Sequence, residues 1–217
     1  MGINGIIFFG DSVLAGTGAS ARELGCAKLI KESLNIPVSL KARNWNTSQD
    51  GLERLDQDVL KQPHLSHVVV LFGNNDCWLA GPNEPKVSLS KFIENIDFMT
   101  EQMKKNSQTP ILCTLQPIDI QRFTKQFPEL LEFQKAMNQD ISQLQKHYSN
   151  EIKKKCTQQQ ILFIDLRSDL ESFAQEIIAM DGIHPNDKGH KAIASIMLNY
   201  FKKMDPSLKI LDKCPTQ

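Results

Sequence analysis

Five short runs rich in apolar and β-branched residues, at 5–9, 38–42, 67–72, 111–115 and 161–166, alternate with stretches whose apolar residues recur at helical spacing. This alternation constrains the fold more than any other feature, because a chain reading strand, helix, strand, helix lays its strands in a parallel sheet and packs helices over it. Residues 68–71 and 161–164 are almost continuously apolar, as strands are when helices cover both faces. Phe92, Ile96, Met99 and Met103 form one helical stripe, as do Phe133, Met137, Ile141, Leu144 and Tyr148, and Ile193, Ile196, Met197 and Tyr200. Each is read as a core-facing stripe. The fold class is therefore α/β with right-handed crossovers, and ligands are expected beyond the carboxyl ends of the strands.

With 217 residues, 41% of them hydrophobic, the chain can bury one good core, so residues 1–204 are read as a single domain and 205–217 as a loose tail. Twenty-five basic residues balance twenty-five acidic ones. That balance argues against nucleic acid and against a polybasic attraction to membranes, and it leaves a small molecule as the expected partner, with no stable membrane insertion. The oligomeric state is open. Five scattered cysteines, Cys26, Cys77, Cys113, Cys156 and Cys214, suit neither a disulfide framework nor a zinc site and point to a reducing compartment. The start lacks the charged, apolar and cleavage regions of a leader. A cytoplasmic location is expected, or an exported one if a leader has been removed. Cys214-Pro215-Thr216-Gln217 fits a prenylation box only formally, since proline and threonine replace its two aliphatic positions.

Three separated stretches carry chemistry. Ser12, in Phe9-Gly10-Asp11-Ser12, follows an apolar run that would deliver it to a sheet edge. Asn75, in Gly73-Asn74-Asn75-Asp76, follows the central run, where its side-chain amide is placed to donate to a developing oxyanion. In Asp181-Gly182-Ile183-His184-Pro185 a carboxylate three residues before a histidine can hold Nδ1 and leave Nε2 facing outward. Pro185 biases His184 away from helical geometry, and Asn186 or Asp187 can cap the helix that follows. Taken singly, these residues read as a turn serine, a turn asparagine and a helix-entrance histidine. Together they supply a nucleophile, an oxyanion donor, a base and its orienter.

Weaker candidates have simpler readings. Gly16-Thr17-Gly18 lacks the Gly-Lys-Ser/Thr of a phosphate loop and eases the turn after Ser12. His64 and His67 have no third ligand in sequence reach and flank a strand entrance. Cys77 reads as pocket lining, and Lys153-Lys154-Lys155 as a solvated helix end.

In order and separation, from residue 8 to about 190, these blocks resemble those of the SGNH (GDSL) hydrolase superfamily, and in pattern its bacterial esterase, thioesterase and lysophospholipase-type members. The resemblance implies a three-layer flavodoxin-like fold with a five-stranded parallel sheet and helices on both faces. It implies a serine esterase needing no metal or cofactor, with Ser12 as nucleophile, His184 as base, Asp181 as orienter, and Asn75 and the Ser12 N–H as oxyanion donors. One block departs from the pattern. The stretch from Thr47 to Leu55 resembles the one following the family's second-block glycine, but that register puts Trp45 at the glycine. The donor there is a backbone N–H, which tryptophan can supply, although a site requiring positive φ would strain a bulky residue. Asn46 or Gly51 are the alternatives.

The expected activity is hydrolysis of carboxylic esters, including thioesters, of short to medium acyl chains through an acyl-enzyme. Two other readings stand beside it: a carbohydrate O-acetylesterase with the same triad, and a catalytically silent binding module on the same fold.

Overall fold

The computed structural model describes residues 2–137 and 140–211, with only the backbone for Ala136 and Met137. Cys214 with its terminal box, and the Met137 side chain of the second stripe, lie outside the described residues. In chain order the strands are β1 (Ile6–Gly10), β2 (Val38–Ala42), β3 (His67–Leu71), β4 (Leu79–Gly81), β5 (Glu84–Pro85), β6 (Thr109–Cys113) and β7 (Leu162–Ile164). The helices are α1 (Ser12–Ala15), α2 (Cys26–Ser33), α3 (Ser48–Leu55), α4 (Leu89–Lys105), α5 (Ile120–Gln126), α6 (Leu130–Met137), α7 (Ile141–Gln159), α8 (Leu166–Leu170), α9 (Ala174–Ile177) and α10 (Asp187–Met204).

The five predicted runs become one parallel sheet in the order β2-β1-β3-β6-β7. β4 and β5 pair as a small antiparallel hairpin, too short to show as periodicity. Counting the five sheet strands in chain order gives 2-1-3-4-5, the flavodoxin-like doubly wound order, whose direction reverses between β1 and β3. The continuous apolar runs now have their reason. Ile7 and Phe9 of β1, with Val68 and Val70 of β3, face a core closed by α3, α4 and α7. Ile6 and Phe8, with Val69 and Leu71, face a second core closed by α2, α8 and α10. Alternate side chains of one strand thus enter different cores, and neither face can be polar.

Three expectations change. The stripe from Phe133 to Tyr148 is divided, because α7 starts afresh at Ile141: the Asp140 side chain accepts from the Gln143 amide and the Gln143 side chain accepts from the Asp140 amide. Lys155 is not at a solvated helix end but lies inside α7, buried and ion-paired with Asp97. The segment from Asp205 is not loose over its described part, 205–211. Asp205 accepts from the Ile3 amide at 2.8 Å, Leu208 is buried, and Ile210 bridges to Leu34.

Candidate active site

The site forms where the sheet order reverses. Gly10 ends β1, Asp11 caps α1 by accepting from the Val13 amide at 3.0 Å, and Ser12 opens the helix. A first-turn N–H has no partner within its helix, so the Ser12 amide stays available. Gly16 closes this short helix at φ +91°, and Gly18, at φ +93°, lets the chain turn back where a Cβ would meet the Pro185 carbonyl at 2.4 Å. The loop after Ser12 therefore lies directly against the histidine loop.

That second loop is built from backbone bonds. The Ala179 amide donates to the His184 carbonyl at 2.8 Å, the Gly182 amide to Ala179, and the Asp119 amide to Gly182. Asn186 caps α10 through the Gly189 amide, while Asp187 holds the amide and hydroxyl of Ser20. Within this frame Asp181 Oδ1 accepts from the Ile183 and His184 amides at 2.9 and 3.0 Å. Its Oδ2 lies 2.7 Å from His184 Nδ1, and His184 Nε2 lies 2.9 Å from Ser12 Oγ. A carboxylate only accepts, so Nδ1 carries the ring proton and Nε2 is the free base facing the hydroxyl. Burial by itself pushes the Asp181 carboxyl up, but the His184 ring and the two amides outweigh it, leaving it below the ordinary carboxylate value.

Gly182 sits at φ +80°, and a Cβ there would fall 2.2 Å from the Phe123 amide nitrogen. Gly182→Ala should therefore cost about 2–5 kcal/mol from left-handed backbone strain plus overlap with a main-chain atom that cannot yield. Urea denaturation against wild type measures it, and a loss under about 0.5 kcal/mol would contradict that geometry.

Asn75 and Trp45 approach from the other side. The chain leaves β2 through a turn in which the Asn46 amide reaches the Arg43 carbonyl at 3.4 Å and Trp45 sits at φ +66°. This turn position favours glycine or asparagine, so tryptophan holds it at a cost of roughly 1–3 kcal/mol. Trp45 N–H donates to no acceptor among the described residues. Of the alternatives, Gly51 lies inside α3 with its N–H on the Thr47 carbonyl, and the Asn46 N–H is turned to Arg43. Asn75 Nδ2 donates one hydrogen to the Asn46 carbonyl at 2.9 Å, and its other N–H meets no acceptor among the described residues. Ser12, Trp45, Asn75 and His184 share one small cleft, walled by Trp78 and Phe127.

Several residues that hold this cleft carry no motif signal. Arg54, buried over the Phe9 ring, donates to the Gly10 and Lys41 carbonyls, to Asn46 Oδ1 and to Asp58. One guanidinium thereby ties the ends of β1 and β2 to the Trp45 turn. Asn74 donates to Asp11 and exchanges amide bonds with Gln116, whose Nε2 also reaches the Ile183 carbonyl. Gln145 donates to Asn74 and accepts from Arg167. Burial pushes Asp11 up to about 6, and Asp76, clamped on the Ser48 amide and hydroxyl, up to about 7. His190 accepts from the Cys26 amide at Nδ1, so its Nε2–H donates to the Thr17 carbonyl at 2.9 Å and pins the loop after Ser12. Burial holds that ring below the usual histidine value. Cys77 lies behind the cleft, and burial pushes its thiol up, away from thiolate reactivity. His64 lies exposed in the connection before β3, and His67 opens the strand, buried against Ser66.

A profile of the GDSL-like lipase/acylhydrolase family matches residues 8–192. The chain belongs to that family. A lipase/acylhydrolase from Enterococcus faecalis superposes with a TM-score of 0.75 at 23% identity, covering 99% of this chain and 100% of that one. The acetyl xylan esterase AlAXEase superposes at 0.72 with 25% identity, covering 90% and 98%. The uncharacterized lipoprotein YqeF of Bacillus subtilis (strain 168) is 29% identical over 123 residues, 54% of this chain and 50% of that protein. The chain thus spans about half the length of that curated relative. No helix among the described residues is long and apolar enough to cross a membrane.

Proposed function

We propose that this protein hydrolyses carboxylic esters of short acyl groups through a covalent acyl-enzyme on Ser12. The observation carrying this reading is the series Asp181, His184, Ser12, linked at 2.7 and 2.9 Å. His184 Nε2 takes the Ser12 proton as Oγ attacks the ester carbonyl, and Asp181 holds the imidazolium that results. The tetrahedral oxyanion is held by the Ser12 N–H, the other Asn75 Nδ2–H and the Trp45 N–H. His184 then protonates the leaving alcohol, and water, activated by the same nitrogen, releases the acid. Thioesters follow the same course, since the acyl carbon and the oxyanion are common to both.

The small, mostly apolar cleft favours a short acyl group over a long one. A second reading, removal of acetyl groups from carbohydrates, is favoured by Trp45, whose side chain stands at the cleft mouth in a residue 64% exposed and offers a flat face to a sugar ring. It has the further support of the acetyl xylan esterase among the structural relatives. Four buried free thiols, Cys26, Cys77, Cys113 and Cys156, suit a reducing compartment, whereas the lipoprotein relative points to export. Cell fractionation decides between the two.

Release of p-nitrophenol from the acetate, butyrate and octanoate esters tests the activity. Turnover of acetate or butyrate is expected, and inertness toward all three, with no labelling by a fluorophosphonate, overturns the reading. Higher kcat/KM on acetylated sugars than on every aryl ester would move the assignment to carbohydrate. Asn75→Ala should lower kcat by about 10²–10³-fold, roughly 3 kcal/mol of barrier, with little change in KM, because the lost donor acts on the oxyanion. A variant within about threefold of wild type would remove Asn75 from that role.

A further inference from the structure

Two apolar cavities lie in series beside Ser12. The outer is the cleft itself, about 70 Å³, and opens past Trp45. The inner, about 20 Å³ and itself partly open, is lined by Cys77, Ile118, Phe123 and Ile141, all buried, and by the buried Gln145. Trp78 borders both, and among the described residues only Asn74 and Ile183 do so with it. The Trp78 ring is wedged in place: its centroid lies 4.9 Å from that of Phe127, 5.8 Å from Phe123 and 6.3 Å from Trp45, each in edge-on contact. Its backbone is held as well, donating to the Asn75 carbonyl and accepting from the Lys86 amide at 2.8 Å.

We infer that the Trp78 indole is the stop that sets acyl length, closing the cleft at the depth of an acetyl to butyryl group and walling off the adjoining space. The two parts of an ester have different needs. The leaving alcohol must depart and can be of any size, so it belongs at the open mouth beside Trp45. The acyl group stays on Ser12 through the second half of the reaction, so a blind pocket can measure it. Extending the pocket by methylenes requires removing what blocks it, and Trp78 is the large side chain shared by the two spaces. Each methylene newly buried in an apolar pocket changes kcat/KM by roughly tenfold or more.

This inference rests on the ester-hydrolase reading, and the experiment separates the two. The kcat/KM values of wild type, Trp78→Ala and Trp78→Leu are measured on p-nitrophenyl acetate, butyrate and octanoate, with Phe127→Ala as a control that widens the outer cleft without bordering the inner cavity. The octanoate-to-acetate ratio should rise about tenfold or more in Trp78→Ala, less in Trp78→Leu, and within about threefold in Phe127→Ala. Adding Ile141→Phe to Trp78→Ala, which refills the inner space, should return the ratio toward wild type. An unchanged ratio in both Trp78 variants, with acetate hydrolysis retained, overturns the inference and leaves the parent reading intact. An equal rise in Phe127→Ala also overturns it, by showing that general loosening suffices. Should Trp78→Ala fail to fold, the leucine variant decides by the same ratio. Wild type inert toward every ester overturns the parent reading, and this inference with it.

Discussion

Ser12→Ala should abolish ester turnover, with a fall in kcat on the order of 10⁶-fold, while the folded structure survives. The loss is this large because in the proposed mechanism the hydroxyl is the attacking atom; without it His184 and the proposed oxyanion donors surround a carbonyl with no nucleophile. The fold should be indifferent, since the side chain's bond is to His184, whose ring is anchored by Asp181, itself held by two main-chain amides. Alanine is also a good first-turn helix residue. Fluorophosphonate labelling should disappear, with an unchanged far-ultraviolet circular dichroism spectrum. Equal rates for the variant and wild type on p-nitrophenyl acetate would place the chemistry elsewhere.

The second large effect is expected at Asp181. Asn keeps the shape and one acceptor for the Ile183 and His184 amides, but it turns an NH₂ toward Nδ1. His184 must then accept there and carry its proton on Nε2, the tautomer that cannot deprotonate Ser12. A loss of about 10⁴-fold in kcat at neutral pH follows. Stability carries a second signature. The Asp181 carboxyl is held below its unfolded value, so its ionised form stabilises the fold above that value, and this contribution is lost as pH falls through the lower, folded pKa. The gap in stability between wild type and Asp181→Asn should therefore narrow as acid is added. A constant gap from neutral pH into the acid range would show that the carboxylate charge contributes nothing to the fold.

Sequence and structure agree best where a signal is local and dense. The five runs became the five sheet strands with ends moved by a few residues, because an apolar strand buried on both faces leaves its mark at every position. Ser12, Asp181 and His184 were legible for a similar reason: each stands beside residues that set its backbone, namely Gly10 with the Asp11 cap, and Gly182 with Pro185. Trp45 was half legible. Its position followed from the register of the Thr47 to Leu55 stretch, and the strain was foreseeable, but the left-handed φ belongs to a turn closed only after β2 and α3 are in place.

Other features had no local sign. Asp140 had to be seen as a helix start rather than one polar residue within a stripe. Lys155 looked like its neighbours in a basic run until Asp97 met it from another helix. Gln116, Gln145, Arg167 and His190 are polar residues whose partners near the cleft lie far away in sequence, so nothing in their neighbourhoods separates them from surface residues.

The amino-acid order alone therefore determined the layered α/β architecture, the strand edge where chemistry is possible and the residue types able to perform it, since burial patterns and turn chemistry act between near neighbours. Tertiary structure alone decided that the hydroxyl meets the imidazole, that a buried amide and guanidinium scaffold holds them, and that Trp78 stands between two cavities. Those outcomes depend on contacts between residues tens to more than a hundred positions apart, and such contacts exist only once the sheet has gathered its loops at one edge.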